Sequence, residues 1–366
     1  TSPIRTGLRR KCFMLKAVVR DLGKTLCEKS DMTTTTTSEP SSHPYDALTP
    51  DVVLDAVESI GVHCDGRLLA LNSYENRVYQ VGVEEQSPLV VKFYRPGRWP
   101  TAAIMEEHEF TLELAAAEIP VVPPMQWPDG STLHESHGFR FAVYLRRGGH
   151  WPELDNRDNL EWMGRFIASI HTLGKRESFQ HRPTVDINSY CQDPVAILLE
   201  KQIIPMELQT AYSSLLKDVL QQIQACFDRA GDVAALRLHG DCHPGNVLWT
   251  DDGPHFVDFD DARMGPAIQD LWMLLSGERE EMAQQLSYVL EGYTQFCDFD
   301  ARELNLIEAL RSLRLIHYSA WLARRWEDPS FPLNFPWFGG NRYWEEQILT
   351  MREQLALMQE APLPWL

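Results

Sequence analysis

The chain has 366 residues, with 34 Lys and Arg against 52 Asp and Glu, a formal charge of −18 and 44% hydrophobic residues. That length suffices for two domains of about 100–200 residues each, and the 23% charged fraction excludes a globally disordered chain. The acidic balance excludes a protein that holds nucleic acid by neutralising phosphates with Lys and Arg, and it fits a cationic or metal-bridged partner.

In chain order, Arg5, Arg9, Arg10, Lys11, Lys16, Arg20, Lys24 and Lys29 make the first 31 residues basic. They lack the long apolar run and small-residue cleavage site of a secretory signal. Thr33–Thr37 and Ser38-Glu39-Pro40-Ser41-Ser42 are low in complexity and predict disorder. Residues 1–44 are therefore expected to stand outside the fold, as an upstream extension or start-site artefact with Met32 as the candidate start. Thr49-Pro50-Asp51 is a helix-start signal. Residues 67–83 and 88–95 read as strands, and Pro96-Gly97 stops the second. The spacing of Ile104, Glu107, Phe110 and Leu114 predicts a helix from Thr101 to about Ala117, and Phe139 to Leu145 is a further strand.

Beyond Arg146-Arg147-Gly148-Gly149 the pattern turns helical. Helices are expected over 160–173, 195–202 and 204–230, short strands over 247–249 and 255–258, and long helices from Ile268 to about 360. A strand-rich first third before a helix-rich remainder predicts an α+β chain of two lobes, 45–146 and 147–366, with a hinge near Val143-Tyr144-Leu145. The seven cysteines, none within four residues of another, fit neither a zinc ribbon nor a dithiol pair; reduced, mostly buried thiols in the cytoplasm are expected. No apolar run reaches the ~18 residues of a membrane span, so no membrane partner is expected.

The most informative segment is Leu238-His239-Gly240-Asp241-Cys242-His243-Pro244-Gly245-Asn246. A carboxylate followed five residues later by an amide, on a glycine-containing loop, suits phosphoryl transfer: Asp241 accepts the proton of an attacking hydroxyl, and the oxygen of Asn246 holds Mg²⁺. Asp258, twelve residues on at the end of a short apolar strand, is placed to be the second magnesium ligand. His239, Asp241, His243 and His255 also permit a metallohydrolase reading, which needs more ligands in a matching pattern. Asp270 is expected to brace the loop by accepting backbone hydrogen bonds. Asp260 and Asp261 are read as a solvated or substrate-facing acidic edge, and the aromatics Tyr318, Trp321, Trp326, Trp337, Tyr343 and Trp344 as core.

These motifs resemble those of the protein-kinase-like phosphotransferases of the aminoglycoside phosphotransferase and choline kinase type. His239-Gly240-Asp241 with Asn246, then Val257-Asp258-Phe259, matches their catalytic loop and metal-binding motif. The resemblance extends from about residue 45 to the C-terminus, through Leu71–Gln80, Val91–Pro96, Gln269–Leu275 and Asn334–Trp337. It implies a protein-kinase-like two-lobed fold with a small β-rich N-lobe and a helical C-lobe. It further implies ATP-dependent phosphorylation of protein Ser and Thr in a bacterial stress response, with Asp241 as base, Asn246 and Asp258 as Mg²⁺ ligands and Ser73 as an ATP contact.

Lys92, a cation in the middle of an apolar strand, suits the α- and β-phosphates, because burying it is costly unless it meets an anion. Glu107 is the expected ion-pair partner that orients it, with Glu106 the rival about 100° away around the helix. Leu71 to Gln80 contains no glycine, so Ser73 and backbone amides must do the work of a Gly-rich loop. A kinase of small hydroxyl compounds shares the catalytic loop and is the alternative, and a non-catalytic nucleotide-binding module is a further rival. A monomer is expected, with ATP and a protein substrate as partners and no nucleic acid.

Overall fold

The computed structural model describes residues 43–365, so the basic segment, Met32 and the Thr tract lie outside the described residues. The chain divides into two units. One runs through Pro96 and takes in Leu133–Arg146 and Ser276–Glu278; the other comprises Gly97–Thr132, Arg147–Leu275 and Arg279–Leu366.

In the first unit, helix α1 (Pro50–Glu58) starts where Thr49 Oγ1 accepts the amide of Val52 at 3.3 Å. An antiparallel sheet follows in the order β1 (Cys64–Ala70), β2 (Arg77–Val83), β3 (Leu89–Phe93), β5 (Phe139–Leu145), β4 (His134–Ser136). Val91, Phe93, Phe141 and Val143 are fully buried and form its core. The strand expected over 67–83 is two strands with a loop at 71–76 between them. Side chains meet that loop: Glu75 O accepts Arg95 Nε at 3.0 Å and the Tyr45 hydroxyl at 3.3 Å, and the Asn76 side chain accepts Arg95 N through Oδ1 at 3.1 Å.

In the second unit, α2 (Thr101–Ala116), α3 (Arg157–Gly174) and α5 (Met206–Ala230) follow the expected periodicity, with α4 (Asp193–Glu200) between the last two. α3 packs against α7 (Arg279–Tyr293) through two glycines. A Cβ on Gly164 would lie 2.0 Å from Val289 O, and one on Gly292 2.0 Å from Glu161 O, so a larger residue at either position would force the helices apart. The helical stretch expected from Ile268 is broken. α6 (Ile268–Leu271) and a 3₁₀ turn precede α7, and a 3₁₀ segment (Ala301–Leu306) precedes α8 (Ile307–Arg325). α9 (Ser330–Asn334) and α10 (Asn341–Leu357) follow. Gly277 at φ 98°, the Asp300 cap on Arg302 N and Pro329 impose those breaks. β6 (Leu236–Leu238) and β9 (Arg263–Gly265) pair with each other, and β7 (Val247–Thr250) pairs with β8 (Gly253–Phe256). Trp344 is fully buried in the aromatic core, whereas Trp337 is 38% exposed.

The 3₁₀ segment before α8 carries a pH-sensitive group. Burial pushes the Glu303 carboxyl up to about 7, against the pull of the Ile268 amide that donates to its Oε2 at 2.8 Å. The ordinary value is 4.5. Between those values the unfolded chain releases a proton that the folded chain keeps, so stability falls as pH rises, by at most about 3 kcal/mol. Glu303→Gln is expected to melt higher than wild type near pH 8 and to match it near pH 4, as thermal unfolding at both pH values will show.

Candidate active site

The segment between β6 and β7 is held from below by one carboxylate. Asp270, fully buried, accepts the amides of His239 and Gly240 at 2.8 Å each, and His171 Nε2 lies 3.0 Å from its Oδ2. Gln269 Nε2 donates to Gly240 O at 3.0 Å. Gly240 has φ 83°, and a Cβ there would sit 2.1 Å from Asp261 O, so only glycine fits. His239 Nδ1 faces the amide of Asp241 at 3.4 Å, which leaves Nε2–H to donate to Val257 O at 2.9 Å. That imidazole is a structural strut.

The same contacts bring the expected metal ligands to one end of the β7–β8 hairpin. Asn246 Nδ2 donates to Asp241 O at 3.0 Å, so the amide oxygen is the end left to face a ligand, and Val257 N donates to Asn246 O at 3.0 Å. Asp258 stands two residues beyond the strand end at Phe256 rather than on it, exposed and in the left-handed region at φ 61°, ψ 64°. A non-glycine residue held there costs about 1–2 kcal/mol and persists because its neighbours fix it. An exposed carboxylate beside an oriented amide oxygen is a hard-oxygen donor set suited to Mg²⁺.

Asp241 is half-buried. Arg314 of α8 donates through Nη1 to its Oδ1, and His243 Nε2 lies 3.5 Å from its Oδ2. Burial raises its pKa, but the Arg314 guanidinium and then His243 outweigh it and hold the carboxyl below the usual range. His243 is itself pushed down by burial, against the attraction of Asp241. Cys242 is fully buried and its thiol is pushed well up by burial and then by the Asp270 and Asp241 carboxylates, so it is no nucleophile.

Arg314 carries no motif and lies 73 positions from Asp241, beyond what local spacing reveals. Asp260 and Asp261 are not the solvated edge expected of them. Asp260 is 3% exposed and bonded to Arg98, while Asp261 Oδ1 accepts Arg98 Nη2 at 2.9 Å and Arg263 Nη2 at 2.7 Å. Arg182, also buried, donates to the carbonyls of Ala103, Asp260 and Ala262. Arg98, 162 and 163 residues away in sequence, bonds both carboxylates, and a run of acids alone does not reveal that.

In the first unit, Lys92 is buried in β3, with Nζ 5.0 Å from the centre of the Tyr94 ring. Ser73 is half-buried on the 71–76 loop, and among the described residues its hydroxyl makes no hydrogen bond. In the second unit, Glu106 is engaged with the backbone, accepting Gln180 N at 2.6 Å and His181 N at 3.0 Å. Glu107 is buried, with Oε2 3.9 Å from Arg182 Nη1. Among the described residues no three His, Cys, Asp or Glu side chains converge as a metal site, so the metallohydrolase reading has no ligand set. No helix among them is long and apolar enough to cross a membrane.

A family model described as "Phosphotransferase enzyme family" matches residues 67–307. The chain is 46% identical over 323 residues to Stress response kinase A of Escherichia coli (strain K12), covering 88% of this chain and 97% of that protein. It is 44% identical over 319 residues to the Serine/threonine protein kinase RdoA of Salmonella typhimurium, covering 87% and 96%. Among solved structures it is similar to amicoumacin kinase hAmiN in complex with AMP-PNP, Ca²⁺ and Ami, with TM-score 0.65, 18% identity, and 86% and 95% of the two chains covered. Choline kinase LicA from Streptococcus pneumoniae gives TM-score 0.60 at 15% identity, covering 84% and 98%. The two solved structures share the α+β, kinase-like fold with this chain.

Proposed function

The chain belongs to the phosphotransferase enzyme family, and from that premise we propose that it transfers the γ-phosphoryl group of ATP to serine and threonine hydroxyls of proteins, in a bacterial stress response. The observation that carries the chemistry is the pair of hydrogen bonds, Asn246 Nδ2 to Asp241 O and Val257 N to Asn246 O, that joins the proposed base to one proposed metal ligand and that ligand to the residue next to the other, Asp258. The protein substrate is supported by the 46% and 44% identities to relatives named as stress response and serine/threonine kinases.

In this reading the lobes are 45–146 and 147–366. Ser73 contacts ATP, Lys92 neutralises its α- and β-phosphates, and Glu107 is the carboxylate that orients Lys92. Asn246 and Asp258 are the residues that would hold Mg²⁺; neutralisation of the phosphate charge is what that ion supplies when bound. Asp241 takes the proton of the acceptor hydroxyl while the loop anchored on Asp270 holds that carboxylate in line with the γ-phosphorus. The enzyme acts as a cytoplasmic monomer.

The test is incubation with γ-labelled ATP and Mg²⁺, offering cell-extract proteins in one arm and choline, aminopropanol and an aminoglycoside in the other. Label is expected on protein Ser and Thr with wild type and on nothing with Asp258→Ala. Label confined to the small hydroxyl compounds overturns the protein-kinase reading.

A further inference from the structure

Arg314 differs from the other arginines near the site in what it holds. Arg182 spends its nitrogens on three carbonyls, and Arg263 bonds both the carbonyl and the carboxylate of Asp261. Both are buried and brace the chain around Asp261. Arg314 is one-third exposed, and among the described residues its one hydrogen bond goes to Asp241. A guanidinium with further N–H groups open to solvent is poorly used as a structural brace.

Its helix is seated with care. One turn on, His317 stacks on Tyr190 with ring centres 4.8 Å apart, and the Arg263 guanidinium lies over the same Tyr190 ring, 4.8 Å from its centre. That stack ties α8 to Tyr190 one turn from Arg314, the residue that meets Asp241. Burial, then the repulsion of Arg263, keeps His317 down to about 4, so it is neutral near pH 7 and does not compete for the carboxylate.

We infer that Arg314 is the positioning residue of the base: it fixes Oδ1 of Asp241 and leaves Oδ2 as the oxygen that receives the acceptor's proton. The inference rests on the proposed role of Asp241. In the step it serves, the acceptor oxygen bonds to the γ-phosphorus and the bond from that phosphorus to the bridging oxygen of ADP breaks. The hydroxyl proton passes to Oδ2. A carboxylate free to rotate would present either oxygen in many orientations, and a misplacement of about 1 Å costs on the order of 100-fold in rate.

The test uses the full chain, γ-labelled ATP and Mg²⁺, with casein, histone and water as acceptors, so that a rate is read even without the physiological substrate. Arg314→Ala is expected to lower turnover by about 10–100-fold while ATP affinity, measured by equilibrium binding, stays within about twofold. Millimolar guanidinium added to Arg314→Ala is expected to restore several-fold activity, as Arg314→Lys does in part, and to do nothing for Asp241→Ala. A structural brace would not give that rescue. The inference is overturned if folded, ATP-binding Arg314→Ala turns over at the wild-type rate, or if neither guanidinium nor lysine restores activity. If Asp241→Ala itself retains wild-type turnover, the reading of the base fails first, and the inference with it.

Discussion

Asp241→Asn is expected to lose about 100- to 10,000-fold in kcat while folding and binding ATP like the wild type, the span a general base contributes. Asparagine is the informative replacement because it keeps an Oδ1 for Arg314 to bond, so the loop and the seat of α8 are disturbed little. It removes the oxygen's ability to take a proton together with the charge that pairs with Arg314. The net pull of Arg314 and His243 holds the carboxyl low, so Asp241 is ionised and ready to accept at neutral pH. It is therefore a weak base, fitted to a reaction in which bond-breaking to the leaving group runs ahead of proton transfer. Single-turnover measurement of label transfer, with ATP binding measured separately, checks both halves. A kcat within tenfold of wild type would mean that positioning alone drives the transfer and that Asp241 is not the base.

The parts of this molecule that could be read from the sequence are those set by local chemistry. Thr49 before Pro50 marks a helix start because a hydroxyl must meet a free amide, and the Asp241-to-Asn246 spacing marks a loop because an amide side chain can close back on its backbone. The α+β order followed from the change of period alone. The two-stranded pairing of β6 with β9 was not legible, since three residues are too few for an alternating pattern to show. Nor was the pairing of Asp260 and Asp261, because Arg98, which bonds both carboxylates, lies 162 and 163 residues away in sequence. Arg314 is the extreme case. Nothing about a lone arginine on an amphipathic helix says that it faces a carboxylate 73 residues earlier. Asp270 lies between these extremes, expected as a brace of the loop through backbone hydrogen bonds and explained by its three partners.

Those three partners make Asp270 the residue whose loss should be felt most widely. Asp270→Ala would strand two buried backbone amides and the His171 imidazole together, at about 1–3 kcal/mol for each unsatisfied group. A loss of about 3 kcal/mol or more is a large share of the ~5–15 kcal/mol that holds a domain together, so the alanine variant is expected to be poorly folded. Asp270→Asn is milder and more telling. Its amide can accept through one oxygen only, so one of the two loop amides meets an NH₂ group instead of an acceptor. The loop would then settle in more than one position, moving Asp241 relative to Asn246 without altering either. Urea unfolding is expected to show Asp270→Asn less stable by about 2–3 kcal/mol. Its kcat should drop by about 100-fold while ATP binding is retained. Wild-type stability together with wild-type kcat in that variant would show that the loop holds its shape without the carboxylate, and that the geometry around Asp241 is set from α8 instead.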